Sequence, residues 1–231
     1  MGPRQSSGNE HDDPRTAVFR EIGETYARAV LGGDEVAAEL AIRDALDAKL
    51  TTAEIDDEII APALWLVGRL WERGDITVAD EHLATEISIR VLALQREARR
   101  TVTARGGSRA MLAAPQGEQH VVALRMGGNL LREAGYDVLM LGADVPPHDL
   151  AASVVTHKPD LICMSATLAG AGDRVLLAMH ELQGVWPEAR FVVGGSGVSS
   201  RLRGRPGVEI CARVSDIVEA ADALIKRAQF N

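Results

Sequence analysis

Apolar residues recur every three or four positions through the first hundred residues of the chain. Phe19, Ile22, Tyr26, Ala29 and Val30 make one stripe, and Ala37, Leu40, Ala41, Ala45 and Leu46 a second. Ile59, Ala63, Leu66, Val67, Leu70 and Trp71 make a third, and Val78, Leu83, Ile87, Val91 and Leu94 a fourth. A 3.6-residue period marks helices that bury one face. Few residues separate the stripes, so the expectation is an all-α four-helix bundle over residues 14–104, preceded by a polar, disordered tail at 1–13.

From Ser108 the pattern changes. Short apolar runs at 109–114, 136–141, 160–165 and 190–193 predict strands. Helical stretches near 120–134, 149–157, 172–184 and 215–228 separate and close them. That alternation is the mark of βαβ units, so residues 108–231 are expected to form an α/β, Rossmann-like (flavodoxin-like) parallel sheet. Gly106-Gly107-Ser108 reads as the boundary between the halves, Gly135 as a helix C-terminal cap, and Pro146-Pro147 as the opening of a helix.

Composition narrows the function classes. A chain of 231 residues, 46% hydrophobic and 25% charged, can bury a core in each of two units. A formal net charge of −8 speaks against direct nucleic-acid binding, which needs a basic footprint. The basic stretch Arg96, Arg99, Arg100, Arg105 and Arg109 reads as cations favoured by a helix C-terminus. No apolar run approaches the roughly 20 residues of a membrane span, and the polar start lacks a secretory core. Cys163 and Cys211 have no Cys-x-x-Cys spacing and fit a reducing compartment. A cytoplasmic protein without membrane contact is expected.

Four short motifs carry the candidate chemistry. Glu118-Gln119-His120 stands where the first strand gives way to a helix, and open α/β sheets hold ligands in such loops. A carboxylate beside a histidine can fix its tautomer for metal binding; the plainer reading is an acid favoured by a helix N-terminus beside an ordinary polar histidine. Ser165 and Gly194-Gly195 follow the third and fourth strands, where small residues leave a slot or simply serve turns. One histidine cannot build an all-protein zinc site, so any metal must arrive inside its own macrocycle. No Gly-x-Gly-x-x-Gly follows the first strand, which disfavours a dinucleotide. In the helical half, Trp71, nine residues, then Glu81-His82 set an aromatic plate beside two hydrogen-bonding groups at one end of the bundle. Trp71 also continues an apolar stripe and can be read as core.

In this order the motifs resemble the signature of cobalamin-binding domains, Asp-x-His-x-x-Gly, Ser-x-Leu and Gly-Gly, with Glu118, Ala123 and Thr167 departing from Asp, Gly and Leu. The Trp-x9-Glu-His spacing is similar to that of the CarH-like photoreceptors, in which a four-helix bundle covers the upper face of adenosylcobalamin. The resemblance implies a corrinoid bound without its own base on cobalt. His120 is then the metal ligand, oriented by Glu118. The nucleotide tail enters a slot at Ser165, Thr167, Gly194 and Gly195, while Trp71, Glu81 and His82 face the adenosyl group.

It further implies a light sensor and cobalamin-binding protein rather than an enzyme. Photolysis of the cobalt–carbon bond would shift the two lobes and signal through self-association, a signalling partner or a further domain. Glu72 stands where a histidine commonly follows the tryptophan, so a stable two-histidine photoproduct is not expected. Two other functions remain open: a corrinoid shuttle of a methyltransferase system, carrying methylcobalamin, and a cofactor-free interaction module that has kept the fold.

Overall fold

The computed structural model describes residues 14–99 and 107–229. The expected tail at 1–13 and the residues leading into the expected boundary, 100–106, lie outside them, as do Arg100 and Arg105 of the basic stretch.

The helical half holds α1 (Pro14–Leu31), α2 (Glu35–Asp47), α3 (Thr52–Ile55), α4 (Ala61–Glu72) and α5 (Val78–Ala98). A π-helical segment, Asp56–Ile60, joins α3 to α4 without a break, so these make the third rod of four. The rod begins at Thr52, seven residues before the apolar stripe suggested. Its first turns carry Asp56, Asp57 and Glu58, and a π turn shifts the register, so the period is hidden there. The starts are chemically marked: Asp34 accepts from the Ala37 N–H, and Thr51 with Glu54 and Thr77 with Asp80 form capping boxes. Tyr26, Ile59, Ile60, Val67, Ile87 and Val91 fill the core. The Tyr26 hydroxyl donates to Ser88 Oγ at 2.9 Å, which satisfies it in the apolar interior.

The second half contains β1 (Arg109–Pro115), α6 (Val122–Glu133), β2 (Asp137–Val145), α7 (Pro147–His157), β3 (Leu161–Ser165), α8 (Ala171–Leu182), β4 (Phe191–Gly194), β5 (Val208–Cys211) and α9 (Ile217–Gln229). Every strand pair is parallel, in the order β2-β1-β3-β4-β5, the flavodoxin-like winding. Two expectations need correction. β2 runs on to Val145, beyond the apolar run, because its irregular pairing with β1 carries Gly142 to Val145 along the sheet. The four-residue edge strand β5 was not foreseen, because Val208-Glu209-Ile210-Cys211 is too short to stand out and pairs only once β4 is in place. Gly135 takes a φ of +93° after α6, as its reading as a cap requires.

α7 and α8 cover one face of the sheet, α6 and α9 the other. α6 has a second role, since Val122 and Met126 join the core of the helical bundle. Polar ties cross the same seam. Thr52 Oγ1 donates to Glu133 at 2.6 Å, Asn129 to the Leu92 carbonyl at 3.2 Å, and Arg213 pairs with Asp57 at 3.1 Å and with Glu58. Of the basic stretch, Arg99 donates to the Leu50 carbonyl and Arg109 pairs with Asp137. Among the described residues no helix is long and apolar enough to cross a membrane.

Candidate functional site

β1 and β3 are neighbours whose following helices pass to opposite faces, so a crevice opens between the loops at their carboxyl ends. Glu118 bridges these loops. Its buried carboxylate accepts the His120 N–H at 3.0 Å and His120 Nδ1 at 2.6 Å through Oε1; through Oε2 it accepts the Thr167 and Leu168 N–H groups at 2.9 and 3.0 Å. Burial alone would push this carboxyl up. The hydrogen bonds from Leu168, His120 and Thr167 outweigh it and hold the group below the usual glutamate range.

A carboxylate can only accept, so Nδ1 donates a proton to it, and in the neutral ring that leaves the lone pair on Nε2. The His120 side chain is 44% exposed. This is an imidazole oriented by a buried acid and available to a metal from one nitrogen. The plainer reading, an acid placed by a helix N-terminus, does not describe Glu118: it lies before α6 and its bonds reach a loop some fifty residues on.

The loop itself is built by a residue that sequence reasoning missed. Asp144, at the end of β2, takes a φ of +55°, donates its N–H to the Glu118 carbonyl at 3.0 Å and accepts the Gly117 N–H at 2.7 Å. Non-glycine residues hold that conformation when surrounding bonds over-determine it. The available signal was a lone acid just before Val145-Pro146-Pro147, where an apolar strand end was due. Arg174 was also unforeseen; it lies across Gly117, where a Cβ would sit 3.7 Å from Nε.

Ser165 ends β3 opposite Gly194 of β4. Its hydroxyl is buried and has no hydrogen-bond partner. Gly195 has a φ of +112°, and a Cβ there would overlap the Ala166 backbone, with the carbonyl carbon only 2.7 Å away. Gly194 is different, since its Cβ would meet Cys211 at an ordinary 3.8 Å. The Thr167 carbonyl accepts Ser196 Oγ at 2.9 Å, which ties the β3 loop to the β4 loop. The glycines and Ser165 thus share one edge with Glu118 and His120.

Trp71 near the end of α4 and Glu81 and His82 in the first turns of α5 lie on either side of the corner between the two helices. Gly74, with a φ of +75°, turns the chain, and the Thr77 capping box starts α5. Trp71 is 43% exposed and therefore not core. Glu81 accepts Thr85 Oγ1 at 2.9 Å and meets His82 Nδ1 with its second oxygen; the His82 side chain is 74% exposed. Glu81 and His82 make these polar contacts within the bundle. Among the described residues no group of three or more His, Cys, Asp or Glu side chains is clustered so as to hold a metal ion.

Two family models match the chain, both described as a B12 binding domain: one over residues 108–221, the other over residues 22–94. The chain is 30% identical over 186 residues to the HTH-type transcriptional repressor CarH of Myxococcus xanthus, covering 78% of this chain and 61% of that protein. It is 26% identical over 199 residues to trimethylamine corrinoid protein 2 of Methanosarcina acetivorans, covering 84% of this chain and 91% of that one. The fold is similar to that of the Methanosarcina barkeri monomethylamine corrinoid protein, with a TM-score of 0.72 at 19% identity over 90% of this chain and 99% of that one.

Proposed function

The chain belongs to the family of B12-binding domain proteins, and from that premise we propose that it is an adenosylcobalamin-dependent light sensor. The residues present fit a corrinoid. A buried hydroxyl without a partner at Ser165, a glycine pair that leaves no room for a Cβ at Gly195, and an imidazole held by one nitrogen are what a corrinoid tail and a cobalt centre require.

Glu118 would keep His120 in the tautomer whose Nε2 could bind the cobalt of a corrinoid. Ser165 and the Thr167 loop would hold the displaced tail, with Gly194 and Gly195 shaping the slot by letting the β4 loop close on Ala166. When bound, the corrinoid supplies a cobalt–carbon bond that visible light breaks. The observation that carries the sensor reading is Trp71, an indole left exposed at the end of α4, across the turn from Glu81 and His82 at the start of α5. Such a corner suits an adenosyl group, with a flat apolar surface for the base and polar side chains for its edge. Loss of that group would remove a wedge from the bundle, and the size of the response is bounded by the difference in affinity between the two states.

The chain spans 61% of CarH and 57% of the related repressor CarA, so output through self-association, a signalling partner or a further domain belongs to the proposal. A corrinoid shuttle carrying methyl on cobalt is the second reading. It is favoured by coverage of 91% of the trimethylamine corrinoid protein.

One experiment separates the two. The purified chain is loaded in darkness with adenosylcobalamin or methylcobalamin, and spectra and molecular size are recorded before and after illumination. The sensor reading expects the adenosyl form to be retained and its size or shape to change with light. Equal retention of the methyl form with no light-dependent change in size would favour the shuttle. Trp71→Ala should abolish any preference for adenosyl over methyl, and His120→Ala should return the bound corrinoid to a spectrum lacking protein nitrogen. An unchanged spectrum in His120→Ala would remove the proposed ligand.

A further inference from the structure

Where the π segment faces the end of α5, four residues on from the tie between Thr52 and Glu133 of α6, the chain buries a carboxyl without a charged partner. Asp56 is fully buried, and neither of its oxygens has a hydrogen-bond partner. Around it stand Gln95 from α5, Arg99 from the end of α5, Glu133 from α6, Tyr26 from α1 and its own neighbour Asp57. Gln95 is near enough to favour the charged form, yet both its amide atoms are also buried without partners. Arg99 is engaged elsewhere, donating to the Leu50 carbonyl while its Nε finds no acceptor. Asp57 and Glu133 are themselves acids and oppose a third negative charge. Burial, with that repulsion, pushes the Asp56 carboxyl up to about 8, so it is neutral in the docked seam at pH 7.

A leucine or asparagine would fill this position without titrating. The position also lies in a π segment, a rare distortion that recurs at functional sites. The segment borders the ties that join the halves, Thr52 to Glu133 and Asp57 with Glu58 to Arg213. Arg213 is largely exposed, and such pairs hold little on their own. Gln95 also lines a cavity of about 350 Å³ between α2 and α5, which puts space for water one side chain away.

We infer that Asp56 is a proton-operated weak point in the seam between the helical half and α6: neutral while the seam is closed, it releases its proton when the seam opens. The acid is weaker in the closed form than in water, so closure is most favoured below the ordinary aspartate range. It loses ground as pH rises and levels off once Asp56 ionises in the closed form as well. Between those limits the opening constant rises roughly tenfold per pH unit.

Hydrogen exchange on the full chain without corrinoid tests this and does not depend on the function proposed above. After correction for intrinsic exchange chemistry, protection of residues 52–60 and 122–133 is expected to fall with pH in the parent and to be flat in Asp56→Asn. Equal slopes in parent and variant would overturn the inference. Should Asp56→Asn fail to fold, infrared spectroscopy of the parent decides. An un-ionised carboxyl band at pH 7 that disappears on raising the pH past about 8 supports it, and absence of the band at pH 7 refutes it.

Discussion

Glu118→Ala is expected to destabilise the chain by about 3 kcal/mol and to weaken corrinoid binding by roughly 10- to 100-fold. The carboxylate is buried and accepts four N–H groups: two from His120 and one each from Thr167 and Leu168. Removing it leaves those donors without an acceptor, at about 1 kcal/mol or more for each that water does not reach. It also frees the imidazole to turn and to change tautomer, which accounts for the loss in affinity. Urea unfolding without corrinoid gives the first number, and absorbance titration with the corrinoid gives the second. Matching affinities for variant and parent would mean that Glu118 does not orient the ligand.

Acid should reveal the same group. The folded carboxyl is more acidic than an ordinary glutamate, so its contribution is complete above the usual glutamate range and is lost as pH falls through the folded value. The difference in stability between the parent and Glu118→Gln should therefore shrink below about pH 4.

Gly195→Ala is expected to cost about 3 kcal/mol or more and to abolish uptake of a corrinoid, whereas Gly194→Ala should stay within about 1 kcal/mol of the parent. At Gly195 the φ of +112° is strained for any L side chain, and the added carbon would run into the Ala166 backbone. That backbone cannot step aside. The Ala166 N–H donates to the Gly194 carbonyl at 2.8 Å, and the Ala166 carbonyl accepts the Gly197 N–H at 2.8 Å, so any shift breaks the join between the β3 and β4 loops. At Gly194 the new methyl meets Cys211 at ordinary contact distance. Thermal unfolding of both variants checks the contrast, and equal melting of Gly195→Ala and the parent would show that the slot is not built as described.

The two glycines look alike in the sequence. Both follow an apolar run, and nothing in Phe191-Val192-Val193-Gly194-Gly195 says which one lies against the next loop. Trp71 was ambiguous in the same way, because an apolar stripe includes it whether or not a neighbour covers it. Its place at the last turn of α4, beside the corner at Gly74, leaves it partly in water. The pairing of Glu118 with His120 was legible because the two residues lie two positions apart in one loop. The bonds from Glu118 to Thr167 and Leu168 were not, since they join positions 49 and 50 residues apart.

Local periodicity settled what local forces control. The 3.6-residue stripes marked four helical rods, the apolar runs marked four of five strands, and the glycine and proline positions marked the turns, because each depends on residues a few places apart. The motif order also marked the family. Tertiary structure decided the remainder: the strand order that puts the β1 and β3 loops side by side, the positive φ of Asp144, the edge strand β5, and the burial of Asp56 without a partner. These depend on which distant segments meet, and a side chain's hydration, hydrogen bonds and charge state are set by that meeting rather than by its neighbours in the chain.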